Sequence, residues 1–384
     1  MKFKVLMEDL KKALSLLGGI PNKKDINKEN ILQFEKVSET EVRINAKNEI
    51  INASVMLPVI NMEGEWPKTI EENLEFEFFD VDATMFLGIM RALTAAKEEM
   101  IEFSLNEKEL LFKGNKKRRK FKMPIMIGDK IIREVFETDK LPLNASLFYK
   151  HITKVLPIAA DNNPRMEICG VLIDLYNKGV NFVTTDTTKL AVSNIPFLEE
   201  EIKPQQLIVP KKSVPLIKKA IELLGESTTI VVSDVAIGVV SEKGELYSKL
   251  INGKYPAYKK IIPPNFDAIV RVNKLLLIEI LKEMSYIAEY VKFDLQNNGK
   301  VIVSSYNEGD NIGPDAEMEI DANFEGTGEG KDIVVSLRNI IPFVQNIESE
   351  EAIIGFNYES LPFKISGNPE EKFMQITMPL SVSV

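Results

Sequence analysis

Helix-start signals recur through this chain at intervals of roughly 125 to 135 residues, and this recurrence constrains its fold more than any other feature. MEDLKKALSLLGG places Leu10, Ala13, Leu14 and Leu17 on one face and stops at Gly18; in DATMFLGIMRAL, Asp82 can cap a stripe of Phe86, Ile89, Met90 and Leu93. NASLFYKHITKVL offers Asn144 as cap, with Phe148, Ile152 and Val155 inward. SVPLIKKAIELLG begins at Ser213, accommodates Pro215 in its first turn and ends at Gly225. NKLLLIEILKEM and SLRNIIPFVQNI complete the set, and Pro342 in the last fits only a helix that starts close to it. The starts fall near 7, 144 and 273, and again near 82, 213 and 336.

Between these stretches the chain reads as strands. EVRINAK, MIEFSLN, ELLFKG, TTIVVSD, AIGVVSE, VIVSSYN and AIIGFNY are short, β-branched or alternating, and bounded by Gly, Asn or Asp. The expected class is therefore α+β, with three strand-rich units of two helices each. Identity among the thirds is weak, so architecture repeats rather than sequence.

The chain has 384 residues and a formal net charge of −9, which argues against a uniformly basic coat for nucleic acid. The acid is unevenly placed: Lys+Arg against Asp+Glu is 23 to 24 over residues 1–137, 16 to 13 over 138–265, and 9 to 20 over 266–384. Lysines gather on the outward faces of the helices, at Lys11, Lys12, Lys150, Lys154, Lys211, Lys212, Lys218, Lys219 and Lys274. Such residues can be a solvated face. Their recurrence in several repeats also fits a closed ring presenting lysine inward to a phosphate backbone. No apolar run reaches membrane-spanning length and the start MKFKVLMEDL has no signal-peptide core, so a cytoplasmic location is expected. The single cysteine, Cys169, excludes an internal disulfide and a multi-cysteine metal site, and reads as a small buried apolar residue.

Catalytic readings fare poorly. The one histidine, His151, sits among lysines on a helix, which removes histidine-centred triads and His-rich metal sites. GTGEGKD, residues 326–332, fails as a phosphate loop because Glu325 stands where the motif wants Gly and Asp332 replaces the metal-binding hydroxyl; it reads as a flexible acidic loop. In NFVTTDTTKLAV, Asp186 is followed by Thr187-Thr188-Lys189, a poor match to an aspartyl-phosphate acceptor, which needs lysine directly after the aspartate. The alternative is a strand turning at Asp186, whose side chain bonds nearby backbone N–H groups before a second strand, KLAVSNI. No catalytic residue, cofactor or metal is expected.

Four ordered signals carry a resemblance: CGVLIDLYNKGVNFVTTDTTKLAVSNI, LIVPKKSV opening a helix, SKLINGKYPAYKKIIP, and MQITMPL near the C terminus. Together they resemble the bacterial sliding clamp, the beta subunit of DNA polymerase III. The likeness is strongest over residues 140–265, moderate over 266–384 and weakest over about 20–75. It implies three similar domains, 1–137, 138–265 and 266–384, with two chains joined head to tail into a six-domain ring lined by helices. Such a ring would slide on duplex DNA and tether the DNA polymerase III catalytic subunit and other clamp-binding-peptide proteins, opened by a separate clamp loader.

Carried over position by position, the resemblance implies a partner-peptide pocket. Arg165 and Ile168 precede Gly170; Thr185, Thr187, Thr188, Lys189 and Leu190 surround the turn; Pro256, Lys260 and Ile261 follow; Ile376, Met378, Pro379 and Leu380 close it from the tail. Apolar Ile168, Leu190, Ile261, Ile376 and Met378 would take aliphatic and aromatic anchors of an extended peptide. The chain departs from the family at Thr187, usually glycine, at Thr188, usually a ring residue, at Lys189, usually arginine, and at Ser381, usually basic. A groove that still binds, with a different preferred peptide, is the expectation.

The basic run GNKKRRKFK, residues 114–122, is a candidate DNA patch, but the resemblance puts Phe121 on an edge strand at the dimer interface, facing Tyr286 and Ile287 of a second chain. A basic edge would then meet the acidic last third. DNA-facing candidates are Lys12, Lys150, Lys154, Asn162, Lys212 and Lys219, making sequence-independent phosphate contacts. Two alternatives stand beside the clamp: a scaffold of the same fold dedicated to repair, and a phosphotransferase using Asp186.

Overall fold

The computed structural model describes the chain except residues 22–29, 72–73, 107, 117–118, 129, 199, 297–298, 308–314, 327–331, 358–360 and 381–384. The acidic loop at 327–331, Ser381 and the centre of the basic run, residues 117–118, thus lie outside the described residues. Described elements comprise six α-helices and three antiparallel sheets, an α+β chain rich in strands.

The helices are α1, Met7–Leu17; α2, Ala83–Ala95; α3, Ala145–Val155; α4, Val214–Leu224; α5, Lys274–Met284; and α6, Leu337–Asn346. Short polar side chains start three of them. Asp82 accepts from the amide of Met85 at 2.7 Å, Asn144 from those of Ser146 and Leu147 at 2.9 and 3.2 Å, and Asn273 from that of Leu276 at 3.0 Å. Ser213 does not cap α4: residues 211–213 form a 3-10 turn, and the Ser213 hydroxyl instead accepts from Ser248 at 2.7 Å. In α6, Pro342 lies inside rather than near the start. It offers no N–H to the carbonyl of Arg338, and burial of Leu337, Ile340, Phe343 and Val344 holds the helix despite that loss. The stripes shift in detail: Leu16 is buried in α1 where Leu14 is half-buried, and Ile89 of α2 is half-buried.

Two compact units divide the chain, one of residues 1–149 and 212–250, the other of 150–211 and 251–384. Residues 138–265 contribute to both, because strand pairing ignores the boundaries that the repeat suggests. In the first unit, strand Gly244–Lys249 pairs with Ile51–Pro58 and completes a nine-stranded sheet. A five-stranded sheet ending in the edge strand Lys120–Pro124 faces an aromatic core of Phe3, Phe34, Phe79, Phe86, Phe103 and Phe112, with Phe3 and Phe103 stacked 4.8 Å apart. α1 and α4 pack together in this unit.

The second unit holds one twelve-stranded sheet. Its central seam joins strand Lys189–Ile195 to strand Phe373–Thr377, the last described strand of the chain. His151 of α3 is buried in this unit, where its Nδ1 lies 2.8 Å from the Ser193 hydroxyl and its ring stacks on Phe182 at 5.8 Å. Burial, then Lys154 and Lys150, depress its pKa to about 4, so it is neutral at pH 7.

Candidate functional site

The site begins at the hairpin. Strand Gly179–Thr185 returns as Lys189–Ile195, and Asp186 closes the turn. Its Oδ1 accepts from the amides of Thr188 and Lys189 at 3.0 and 2.8 Å and from the Thr188 hydroxyl at 2.9 Å, while Oδ2 pairs with Lys189 Nζ at 2.6 Å. Burial alone would raise the carboxyl's pKa, but bonds from Lys189 and Thr188 outweigh it and hold the group below its ordinary value. This is the geometry of an Asx turn. Thr187 follows with φ +83°, a left-handed conformation, and its amide donates to the Thr185 hydroxyl at 3.1 Å.

The tail completes the hairpin's free edge. Leu190 stands opposite Ile376 and Lys189 opposite Thr377; beyond the strand, the Met378 amide donates to the Thr188 carbonyl at 3.3 Å and the Leu380 amide to that of Val334 at 2.8 Å. Met378 is exposed, Leu380 half-buried and Pro379 buried.

A third segment, Tyr255 to Ile262, packs across the same sheet face. Leu172, Leu190, Ile376, Tyr255 and Tyr258 share one apolar cluster, against which Ile262 leans. Tyr258 pins the segment: its hydroxyl donates to Asp174 Oδ2 at 2.6 Å and accepts from Asn181 at 3.0 Å. Burial and the adjacent Asp174 push the phenol's pKa well above its usual range. Burial would raise Asp174 too, but Tyr258, Gln206 and Lys259 hold it below its ordinary value. Pro256 is half-buried, while Lys260 and Ile261 are exposed.

The expected anchors thus divide. Ile261 and Met378 expose apolar surface, but Leu190 and Ile376 are sealed under Tyr255, Tyr258 and Ile262, so they shape the site from beneath. Ile168 is also fully buried, in a 3-10 turn outside that cluster, and cannot receive an anchor without movement; Arg165 beside it is exposed. Cys169 is half-buried rather than fully buried. Sequence reasoning missed Asn339 of α6, whose Oδ1 accepts from Lys189 Nζ at 2.9 Å, and no local signal marks it. Tyr255 and Tyr258 were within sight, since they lie in the quoted YPAYKK.

The lysines also separate. Lys12 of α1 and Lys219 of α4 line one cleft of about 940 Å³ in the first unit, although Lys12 pairs with Glu8 at 2.6 Å; Lys212 is exposed nearby in sequence. In the second unit Asn162 is exposed, and Lys150 is exposed but paired with Glu348 at 2.8 Å. Lys154 is not outward-facing. Only 7% of its side chain is exposed, and its ammonium bridges Glu371 at 3.0 Å and Glu348 at 2.9 Å. Phe121 lies half-buried on the edge strand, while Tyr286, 86% exposed, and half-buried Ile287 follow α5 in the other unit. Among the described residues no His/Cys/Asp/Glu group could hold a metal ion, and no helix is long and apolar enough to cross a membrane.

Residues 142–257, which supply the hairpin and the first three residues of the Tyr255–Ile262 segment, match the family model of the DNA polymerase III beta subunit, central domain. The beta sliding clamp of Helicobacter pylori (strain J99) is 23% identical over 392 aligned positions covering 99% of this chain and 98% of that protein. The chain thus resembles the DNA polymerase III beta subunit along its length. Asp186 keeps the turn role its hydrogen bonds describe. Solved beta subunits share the fold along the whole chain. That from the DNA polymerase of Streptococcus pyogenes superposes with a TM-score of 0.85 at 18% identity, covering 100% of both chains. A Helicobacter pylori beta clamp bound to a DNA ligase peptide gives 0.85 at 20% identity, again over 100% of both.

Proposed function

We propose that this chain is a beta sliding clamp that works as a ring: two chains of three domains, 1–137, 138–265 and 266–384, close head to tail around duplex DNA in the cytoplasm and tether the replicative polymerase. The observation that carries the partner-binding part is the seam of hairpin and tail. It sets exposed Met378 beside Thr188, and the Tyr258 segment that packs on buried Leu190 and Ile376 also carries exposed Ile261. An extended peptide would lay apolar side chains on Ile261 and Met378 while Thr187, Thr188, Lys189, Lys260 and Arg165 meet its polar groups. The related clamp solved with a DNA ligase peptide supports peptides as the ligand class. Phe121 on its edge strand would face Tyr286 and Ile287 of a second chain. Lys12, Lys150, Asn162, Lys212 and Lys219 would meet phosphates without reading bases, and Lys154 leaves that set because it is buried. A clamp loader would open the ring.

Three measurements test this reading. The chain is expected to sediment as a dimer at micromolar concentration, and a monomer throughout would remove the ring. It is expected to stay on circular duplex DNA and leave once the circle is cut; equal retention on linear DNA would remove the topological tether. Deleting residues 378–384 is expected to abolish binding of a DNA ligase peptide while leaving the dimer intact. A pull-down that loses repair proteins but never contained polymerase or loader would favour a repair scaffold.

A further inference from the structure

Beside the hairpin seam, the same sheet face carries a second concavity of about 540 Å³, lined by none of the peptide-site residues above. Strand register defines its floor. One transverse row runs Leu190, Ile376, Lys364, Gly355, Ile269; the next runs Val192, Met374, Ser366, Ile353, Arg271. Residues in register, and those two positions apart, share a face. Lys364 and Arg271 therefore rise from the face that carries Leu190 and Ile376, over an apolar floor of Val192, Ile269, Ile353 and Met374.

The charges in this concavity are of one sign. Lys364, Arg271 and Lys372 line it, and no carboxylate does. Lys364 Nζ stands 4.9 Å from the centroid of the Phe266 ring, which can lie on the sheet only because residue 355 is glycine: a Cβ there would sit 2.7 Å from it. Arg271 reaches Glu325 at 2.9 Å, at an exposed edge. Burial first, and Arg271 second, hold the Lys364 ammonium below its ordinary pKa. A cation desolvated against an aromatic ring and beside another cation is electrostatically short of an anion.

We propose that this concavity is a binding subsite for a carboxylate carried next to an aliphatic or aromatic group, as an acidic residue beside a leucine or phenylalanine presents in an extended partner peptide. Lys364 and Arg271 hold the carboxylate, and Val192, Ile269, Ile353 and Met374 receive the apolar neighbour. That the occupant belongs to the same peptide as the hairpin groove's rests on the function proposed above. Continuity argues for it: Val192 belongs to the cluster of Leu190 and Ile376, and Met374 packs against that cluster.

Two methionines report the two places separately, Met374 in the concavity and Met378 at the groove. The full chain, labelled with carbon-13 at methionine methyls, is titrated with acetyl-Leu-Glu-amide and with acetyl-Leu-Gln-amide. Expected are a saturable shift of Met374 with Met378 still, affinity roughly tenfold weaker for the glutamine peptide, and a similar loss in Lys364→Gln and in Arg271→Gln. A motionless Met374, equal affinity for the two peptides, or undiminished affinity in Lys364→Gln overturns the subsite. Lys364→Gln removes a desolvated charge, so its fold is expected to persist, and an unchanged melting temperature checks that. The groove is read independently, by the response of Met378 to a DNA ligase peptide.

Discussion

Thr187 holds a left-handed backbone, φ +83°, and its amide is fastened to the Thr185 hydroxyl at 3.1 Å. The Thr185 hydroxyl itself donates to the Lys189 carbonyl at 2.6 Å, so one side chain braces both ends of the turn. In this conformation a Cβ-bearing residue costs about 1–2 kcal/mol. Replacement by glycine gives up about 0.5–1 kcal/mol through the freer unfolded chain. Thr187→Gly is thus expected to stabilise the second unit by a few tenths to about 1 kcal/mol, read as a higher urea midpoint; a lower midpoint would show the strain is already relieved.

Tyr258 fastens the Tyr255–Ile262 segment to the sheet through Asp174 and Asn181. Tyr258→Phe leaves Asp174 with Gln206 and Lys259 only. A loss of about 1–3 kcal/mol is expected, with faster hydrogen exchange at the backbone amides of residues 255–262. Unchanged protection there would mean that apolar packing alone holds the segment.

Lys154 and Glu371 form a buried pair, 7% and 6% exposed. Glu371 also accepts from the amides of Glu348 and Ser349, so an unpaired charge would remain in place if Lys154 were lost. Lys154→Met is expected to cost about 3 kcal/mol and to leave the salt dependence of DNA retention unchanged. Lys219→Ala is expected to do the reverse, sparing stability and weakening retention. A Lys154 variant that retained stability but lost DNA would restore it to the DNA-facing set.

Two buried groups titrate in opposite senses, one in each unit. His151 has its pKa lowered to about 4, whereas the unfolded chain takes up that proton near 6.5. Below pH 6.5 the unfolded state binds a proton the fold refuses, so stability falls toward pH 4 by about 1.4 kcal/mol per pH unit, on the order of 3 kcal/mol in all. Asp80 is raised to about 6 by burial, against a lowering hydrogen bond from Gln33. There the fold binds the extra proton, so stability rises as pH drops from 6 toward 3.8. His151→Gln is expected to lose less stability than the parent between about pH 7 and about pH 4.5, and Asp80→Asn to lose more. Variants that track the parent in urea melts would show that neither shift exists, and the opposite ordering that their signs are reversed.

Much of the local structure is legible in the residues. Asp82 and Asn144 cap where their spacing to the apolar stripes says they should, and EVRINAK and ELLFKG are strands from end to end. The misjudged details share one cause. Leu14 yields its buried place to Leu16, and Pro342 sits inside α6, because neighbouring elements set how a helix is rolled and how much it can bear. Among the site residues, Lys154 was read as solvent-facing because carboxylates at 348 and 371 are invisible from 154. Ile168 carried no sign that its turn points it into the core.

What the sequence by itself determined is whatever is set within about four residues: caps, stripes, and the Asx turn at Asp186, whose donors are Thr188 and Lys189. The same turn marked the family. Only the tertiary structure decided which distant strands meet, Gly244–Lys249 with Ile51–Pro58 and Lys189–Ile195 with Phe373–Thr377. It thereby decided that Asn339 would reach Lys189, that the Tyr258 segment would cover Leu190 and Ile376, and that Lys364 and Arg271 would share a face. Hydrogen-bonding groups of a strand edge are the same whatever the side chains, so partner and register are chosen by burial summed over a whole sheet rather than by any short stretch of residues.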